Sequence, residues 1–416
     1  MPTPTRPLPS RFRWLVTGAA TSGIGDGLVE VALPLLVATR GGSALDVTAV
    51  AAAQAIPWLL FGLHAGAAVD RLDLARLMSL IDAVRAVTIG LAAAAVVTDT
   101  AVLPAAFVAA FVIGSGDVVV TAGLDTATVR LLDDDQLERG NGRMFTVMTV
   151  TQHLLGPALG GVLFRIAGFV PLLVDAITYV ASSLIFGRSA PRRGPATETA
   201  APKVTEDIRA GLAWVAQNPP IRRLTGVIVA FSFTHAGVMA SLALLVLRRY
   251  DGNEAALGAI LVVSALGNAI GAAVSERLLA VTTLRVVLTI GGVTVGAGYL
   301  VIGATTSVLL AAAAMGVVGV VIGIANVGIA AARQRLVPSD LIGRASSILR
   351  MGSWGATPVA AILVGVTADG IGLGAAVIII GVMQIVVSCI LPRGMSADTD
   401  QALPESVGVG AVGESA

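Results

Sequence analysis

The sequence is poor in charged and aromatic residues for its length. Charged residues make up 13% of its 416 residues and aromatic residues 4%, whereas a soluble domain carries about 25% charged residues. So few polar groups cannot cover the surface of a folded chain in water. The apolar content of 56% also excludes a disordered chain. The composition therefore predicts a protein that lies in a lipid bilayer.

Scarce residue types exclude several kinds of site. Lys203 is the one lysine and lies in a polar segment, so neither a Walker-type phosphate loop nor an intramembrane Schiff base can form. Cys389 stands alone, which excludes a disulfide and a cysteine metal site. His64, His153 and His235 are far apart in sequence, and we expect the first two to be packed or hydrogen-bonded. We expect no metal and no cofactor.

Twelve apolar stretches are long enough to cross a bilayer, which takes about 20 residues. The predicted spans are 14–39, 48–69, 77–97, 102–129, 144–166, 170–187, 224–247, 255–274, 284–304, 307–332, 345–368 and 371–391. Arginines are concentrated in every second loop, and such loops face the cytoplasm. The sequence therefore predicts a multi-pass protein of the cell membrane with both termini in the cytoplasm.

The two halves of the chain repeat each other. Gly66-Ala67-Ala68-Val69 recurs as Gly271-Ala272-Ala273-Val274, and Arg130-Leu131 recurs as Arg335-Leu336, each 205 residues later. Parallel six-helix repeats with a site between them near the midplane are a transporter architecture. The predicted division is an N-terminal segment (1–13), a six-helix bundle (14–187), a linker with an amphipathic helix (188–223), a second six-helix bundle (224–392) and a disordered tail (393–416).

Short motifs follow one another in an informative order. They are Gly25-Asp26-Gly27 before Ala32-Leu33-Pro34, then Asp70-Arg71 with Arg76, Gly156-Pro157-Ala158-Leu159-Gly160-Gly161, Arg335-Leu336, and Gly343-Arg344 before Trp354-Gly355 and Pro358. In this order they resemble the major facilitator superfamily, and within it the macrolide-efflux-like and enterobactin-exporter-like branch. The resemblance implies an all-α membrane protein with twelve transmembrane helices in two pseudo-symmetric six-helix bundles, the major facilitator fold.

The resemblance also implies roles for particular residues. Asp70, Arg71 and Arg76 would form a charge latch that closes the cytoplasmic side in one conformation. Asp82 and Arg85 are either part of that latch or ordinary interfacial charges. The glycines and proline of the fifth span, namely Gly156, Pro157, Gly160 and Gly161, are similar to the core of a motif found in drug/proton antiporters.

Ionisable residues inside the predicted spans are candidate site residues. Asp26 and Glu30 lie one helical turn apart, as do residues on one face of a helix. An ionised carboxylate at the bilayer centre costs about 2.5–3.5 kcal/mol, so each must face water, pair with a cation or carry a proton. Spans 1, 4, 7 and 10 line the central cavity of the proteins that this chain resembles. The candidate proton- or substrate-binding residues are Asp26, Glu30, Asp117, His235 and Asn326.

Two of the intramembrane acids have a structural alternative. Asp26 could equally brace the first span against a neighbouring helix, because buried polar groups often serve packing. Asp125 lies close to the cytoplasmic end of its span, where it could pair with Arg130.

These observations predict a secondary active transporter rather than an enzyme. It would export small amphipathic molecules across the cytoplasmic membrane by alternating access, in exchange for protons, as a monomer without a nucleic-acid partner. An uptake symporter or an uncoupled facilitator of the same fold is the alternative. A membrane-embedded hydrolase or a transporter-like sensor is more distant, since the sequence has neither a GxSxG motif nor a histidine pair.

Overall fold

The computed structural model describes residues 7–191, 213, 215–250, 254–337 and 342–394. Within these ranges the chain forms twelve long helices: α1 (Ser10–Thr39), α2 (Ala44–Arg71), α3 (Leu74–Val97), α4 (Val102–Leu131), α5 (Asp134–Met148, Thr149–Leu155 and Gly156–Ile166), α6 (Val170–Ser189), α7 (Pro219–Arg248), α8 (Glu254–Val281), α9 (Leu284–Val286, Val287–Gly291 and Gly292–Ala304), α10 (Val308–Leu336), α11 (Ile342–Ile371) and α12 (Leu373–Ile390). Each is long and apolar enough to cross a membrane. The twelve predicted spans are confirmed.

Short polar turns separate these helices. Asp73 caps the start of α3 by accepting a hydrogen bond from the Arg76 N–H at 3.1 Å. Thr283 and Ser307 accept from backbone N–H groups in the same way at the starts of α9 and α10. Gly372 alone separates α11 from α12 with a φ of 93°, a conformation that favours glycine. The face at which α1 begins and α12 ends is called the terminal face, and the opposite one the distal face.

α5 changes its helical geometry at its centre. Residues Thr149–Leu155 form a π-helical segment that leads directly into Gly156 and Pro157. A proline lacks the N–H that an α-helix needs at that point, and a π-helical turn accommodates the missing bond. The local change in pitch lies where α5 crosses α1, because Gly156 packs against Gly27.

The hydrophobic core differs between the two faces. Towards the distal face one continuous cluster includes Val31 and Ile113 of the first half and Leu244 and Val377 of the second. Towards the terminal face the first half has its own cluster around α1, α3 and α4, and the second half has another around α7, α9 and α10. Among the described residues, the hydrophobic core of the two halves is therefore continuous at the distal face and divided at the terminal face.

The linker between the halves lies mostly outside the described residues. α6 ends at Ser189 and α7 begins at Pro219. The predicted amphipathic helix falls largely on residues 192–212, and the predicted disordered tail on 395–416, neither of which the structure describes. The division of the chain at these two places stays a prediction.

Candidate functional site

A buried cluster of charged side chains lies at mid-depth in the N-terminal half. It comprises Asp26 of α1, Asp82 and Arg85 of α3, Asp117 of α4, and Asp175, Tyr179 and Ser182 of α6. We call it the N-half cluster. Asp82, Asp175, Tyr179 and Ser182 are fully buried and Arg85 is 1% exposed. Four helices of one bundle thus meet around polar groups of which most are shielded from water.

Arg85 joins three helices through its guanidinium group. One terminal nitrogen donates to Asp82 at 3.3 Å. The other donates to the Asp117 carboxylate and, at 2.9 Å, to the backbone oxygen of Ile113. The Cζ atom also lies 4.9 Å from the centre of the Tyr179 ring, which is a cation–π contact. Arg85 is therefore the centre of the cluster.

Hydroxyl groups of α6 satisfy two of the carboxylates. The Tyr179 hydroxyl donates to Asp26 at 2.5 Å, and the Ser182 hydroxyl donates to Asp82. Hydrogen bonds to a charged acceptor are stronger than those between neutral groups. Asp26 is only 8% exposed, so its side chain ties α1 to α6 as the bracing interpretation expects, whether or not it also binds protons.

The N-half cluster has more acids than bases. Four carboxyl groups lie around one guanidinium, and the Oδ2 atom of Asp175 has no hydrogen-bond partner among the described residues. Arg85 can neutralise one carboxylate. Each further ionised carboxylate without a counter-charge costs several kcal/mol in such an environment. Such an arrangement can hold protons on its remaining carboxyl groups.

Glu30 lies on α1 one turn beyond Asp26 of the N-half cluster and interacts with it electrostatically. Its side chain is exposed although the residues on either side of it are fully buried. It interacts electrostatically with His153 of α5, which is also exposed rather than packed as the sequence led us to expect. His153 lies one turn before Pro157, which contacts α8 of the other half.

The C-terminal half holds a neutral cluster at the matching depth. It comprises Thr234 and His235 of α7, Tyr299 of α9, and Gln384 and Ser388 of α12. We call it the C-half cluster. His235 Nδ1 lies 3.0 Å from the Tyr299 hydroxyl oxygen. The Thr234 hydroxyl donates to Gln384, whose amide nitrogen donates to Ser388 at 3.0 Å.

Asp26 and His235 lie at similar depths in the first helices of their halves. Each lies sixteen residues after the first residue of its helix, which is Ser10 in α1 and Pro219 in α7. Of the remaining polar candidates, Asn326 of α10 and Asp125 of α4 are exposed. The structure therefore brings Asp26 and Asp117 into one cluster and leaves Glu30, His235 and Asn326 outside it.

The glycine-proline motif of α5 packs on two helices at once. Gly156 and Gly160 lie against Gly27 and Leu28 of α1, where a side chain on either glycine would overlap the facing backbone. On another side of α5, Gly161 lies against the backbone of α8 in the other half. The motif therefore lies at the junction between the two bundles, where small residues allow helices to approach closely.

The predicted latch is only partly described. The side chains of Asp70 and Arg71 lie outside the described residues. Arg76 is exposed, and its backbone N–H binds the capping carboxylate of Asp73. The latch therefore stays a prediction.

Sequence reasoning missed the centre of the N-half cluster. It left Asp82 and Arg85 between a latch and interfacial charges, but both side chains are buried among α3, α4 and α6. It did not consider Asp175 or Tyr179. The signal was present, because Asp82, Arg85 and Asp175 also lie inside predicted spans, where ionisable residues are expensive and therefore functional candidates.

Two kinds of comparison place this chain among known proteins. It is 28% identical to the multidrug efflux pump Tap of Mycolicibacterium fortuitum over 403 residues, which is 91% of this chain and 95% of that protein. It is 22% identical to macrolide efflux protein A of Streptococcus pyogenes over 400 residues, covering 92% of this chain and 95% of the relative. The alignments therefore run almost end to end.

Solved structures share the fold at low sequence identity. The nucleoside transporter NupG matches with a TM-score of 0.72 at 12% identity, covering 92% of this chain and 98% of that one. A bacterial homologue of the iron transporter ferroportin, in an inward-facing state, matches with a TM-score of 0.71 at 16% identity, covering 95% and 100%.

The family assignment rests on a profile match over most of the chain. The profile of the Major Facilitator Superfamily matches residues 15–361, which include the first ten helices and most of α11. Proteins of this family are transporters and not enzymes, so a membrane-embedded hydrolase is excluded. With twelve membrane-crossing helices and efflux proteins as relatives, this chain belongs to the Major Facilitator Superfamily and is a multi-pass membrane transporter of small molecules.

Proposed function

We propose that this transporter exports small amphipathic molecules across the cytoplasmic membrane in exchange for protons. The observation that carries the proposal is the N-half cluster, in which four buried carboxyl groups share one arginine. One chain would be the transporting unit, with both termini in the cytoplasm. The substrate would bind between the halves, and the protons would bind to the cluster.

The direction of transport is supported by the relatives and by the shape of the molecule. Two relatives aligned over more than nine-tenths of this chain are named as efflux proteins. In the part of the chain that the structure describes, the two halves have separate hydrophobic clusters at the terminal face, which bears most of the arginines. If that face is cytoplasmic, as the arginine bias predicts, this conformation is ready to take up a molecule from the cell.

Proton coupling is supported by the charge count. A carboxyl group that alternates between a protonated and an ionised state needs a partner that stabilises the ionised form, and Arg85 supplies it for Asp117. The Asp117 side chain is 20% exposed whereas that of Arg85 is 1% exposed. Asp117 is therefore the member of this ion pair through which a proton can be exchanged with water.

The energy available is sufficient for useful export. One elementary charge that moves through 100 mV yields about 2.3 kcal/mol. That free energy supports a concentration ratio of about 50. A single proton per transported molecule is therefore enough.

Glu30 and His153 are ionisable groups outside the N-half cluster. Both side chains are exposed and interact electrostatically, whereas Asp26 and Asp82 are buried within one bundle. We propose that Glu30 meets the substrate or a proton from the cavity side. Asp117 and Glu30 are then two separate points at which neutralisation should alter pH-dependent export.

Transport by proteoliposomes tests the proposal. The probe is a radiolabelled macrolide, its uptake is driven by an imposed pH gradient, and the variants are Asp117→Asn and Glu30→Gln. We expect gradient-driven transport to fall about tenfold or more in Asp117→Asn, while macrolide counterflow without a gradient persists. Thr234→Val is the matched control, since it changes a fully buried polar group of the neutral C-half cluster and should leave the pH dependence unchanged.

Three outcomes would contradict the proposal. Transport of the probe by the wild-type protein that ignores the pH gradient indicates an uncoupled facilitator. Movement of the macrolide in the same direction as the protons, rather than in the opposite direction, indicates an uptake symporter. Unchanged pH dependence in both Asp117→Asn and Glu30→Gln removes these two carboxyl groups from the mechanism.

A further inference from the structure

Two helix pairs hold the halves together at the distal face. α11 of the second half meets the start of α2, and α5 of the first half meets the start of α8. The two contacts are equivalent in the repeat, because α2 and α5 of the first half correspond in chain order to α8 and α11 of the second. We call them the α2–α11 seam and the α5–α8 seam.

The α2–α11 seam contains a helix cap supplied by the opposite half. The first N–H groups of a helix have no acceptor within that helix. In α2 the N–H of Ala44 donates to Asp369 Oδ1 at 2.9 Å, and the N–H of Leu45 donates to Asp369 Oδ2 at 3.1 Å. A carboxylate at a helix N-terminus is further stabilised by the helix dipole. Both oxygens of Asp369 are thus used across the boundary between the halves.

Further contacts surround this cap. Arg248 of α7 donates to the Gly42 backbone oxygen, which again joins the second half to the first. Gly365, one turn before Asp369, lies against Thr48 of α2 so closely that a side chain would overlap it. A cavity of about 260 Å³ opens beside these groups and is lined by Arg248 and Asp369 among others. Asp369 itself is exposed, so water can replace its two hydrogen bonds when the helices part.

The α5–α8 seam is built differently. There Gly161 lies against the backbone of Glu254 and Ala255, and Gly258 lies against the backbone of Pro157. Glycine contacts of this kind gain their energy from close packing of backbones. A carboxylate cap depends instead on two hydrogen bonds that water can replace.

We propose that Asp369 is a releasable lock on the distal face. Its carboxylate caps α2 while that face is closed and leaves the N–H groups of Ala44 and Leu45 when α11 moves away. The α5–α8 seam then stays packed for longer than the α2–α11 seam and serves as the axis about which the halves move. This inference rests on the proposal that the protein works by alternating access, but on neither proton coupling nor the direction of transport.

The distance between two spin labels across the distal face tests the lock. Thr39 at the end of α1 and Ile371 at the end of α11 are exposed and lie in different halves. Both are changed to cysteine in a Cys389→Ser background, spin-labelled, and measured by pulsed electron double resonance in lipid nanodiscs without substrate. The ratio of the long-distance to the short-distance population reports opening of the face.

Two substitutions of Asp369 should raise the population ratio by different amounts. Asp369→Ala removes both acceptors and should raise the ratio about fivefold or more, in line with the loss of a helix cap. Asp369→Asn keeps one oxygen that can accept a hydrogen bond and should raise it less. Asp99→Ala is the matched control, since Asp99 pairs with Arg40 on the same face but within one half. It should leave the ratio unchanged.

The outcomes separate this inference from the proposed function. An unchanged distribution in Asp369→Ala, with a folded sample by size-exclusion chromatography, overturns the lock even if proton-driven export is intact. An equal rise in Asp99→Ala also overturns it, since the effect would then be one of surface charge. A rise specific to Asp369 supports the lock even if the protein proves to be a symporter or a facilitator.

Discussion

The same mid-depth position carries opposite chemistry in the two halves of the molecule. In the N-terminal half it holds four carboxyl groups and a guanidinium, and in the C-terminal half it holds hydroxyl, imidazole and amide groups. The helices that carry both clusters repeat in order and length. Two bundles with the same helix arrangement can therefore bury different polar side chains. Charged groups can be confined to one bundle while the buried groups of the other stay neutral.

Because of this difference in charge, the two clusters should lose different amounts of stability when one of their side chains is changed. A neutral donor and acceptor interact modestly on a net basis, whereas a buried charge that loses its partner keeps the whole desolvation penalty. The N-half cluster should therefore respond strongly to single changes and the C-half cluster weakly. Matched substitutions in the two clusters test this contrast directly.

The largest effect is expected from Arg85→Met, which removes the only cation of the N-half cluster. Breaking a buried ion pair on one side costs about 3–5 kcal/mol, so we expect a loss of this size in the free energy of unfolding, measured by chemical denaturation in micelles. Gln384→Met is the control in the C-half cluster and should lose about 1–3 kcal/mol. Equal losses in the two variants would remove the contrast between the clusters.

A smaller effect is expected when the same atom is removed from each cluster. Tyr179→Phe deletes the hydroxyl that donates to the Asp26 carboxylate, and Tyr299→Phe deletes the hydroxyl next to His235. Hydrogen bonds to charged groups contribute about 1.5–3 kcal/mol and neutral ones about 0.5–1.5 kcal/mol. Tyr179→Phe should therefore lower the unfolding free energy more. The reverse order would contradict the expectation that the hydrogen bond to Asp26 is charge-assisted.

The smallest effect is expected from the double variant Thr234→Val with Gln384→Leu. Both partners of one buried hydrogen bond become apolar groups of similar shape, which can be nearly neutral. We expect a change in unfolding free energy within about 1 kcal/mol and unaltered pH dependence of transport. A loss of proton coupling in this variant would mean that the C-half cluster takes part in the chemistry.

Much of the fold could be predicted from hydropathy, because the bilayer demands long apolar helices. The spans end where polar turns begin, as at Asp73 and Ser307. The π-helical segment of α5 could not be located from Pro157 alone, because its position also depends on how α5 crosses α1 at Gly27. The place where two helices cross is a feature of tertiary packing and cannot be found from the sequence alone.

The candidate site was predicted in part. The cost of burying charge indicated Asp26 and Asp117, which do lie in one cluster with Arg85. The same argument applied to Asp175 of α6, but its position beside Asp26 depends on tertiary packing against Gly25 of α1. Spacing along one helix indicates which residues share a face, whereas partners on four different helices become visible only in the folded bundle.

The tryptophan pair at the centre of the α2–α11 contact gives the molecule an optical property. Trp58 and Trp354 come from different halves, and their rings stack at 4.4 Å with an angle of 11° between the planes. The chain has four tryptophans in all, so this dimer contributes a large share of the near-ultraviolet signal. Two indoles at such a separation couple electronically and emit differently from isolated ones. Intrinsic fluorescence and circular dichroism can therefore follow separation of the bundles in unlabelled protein.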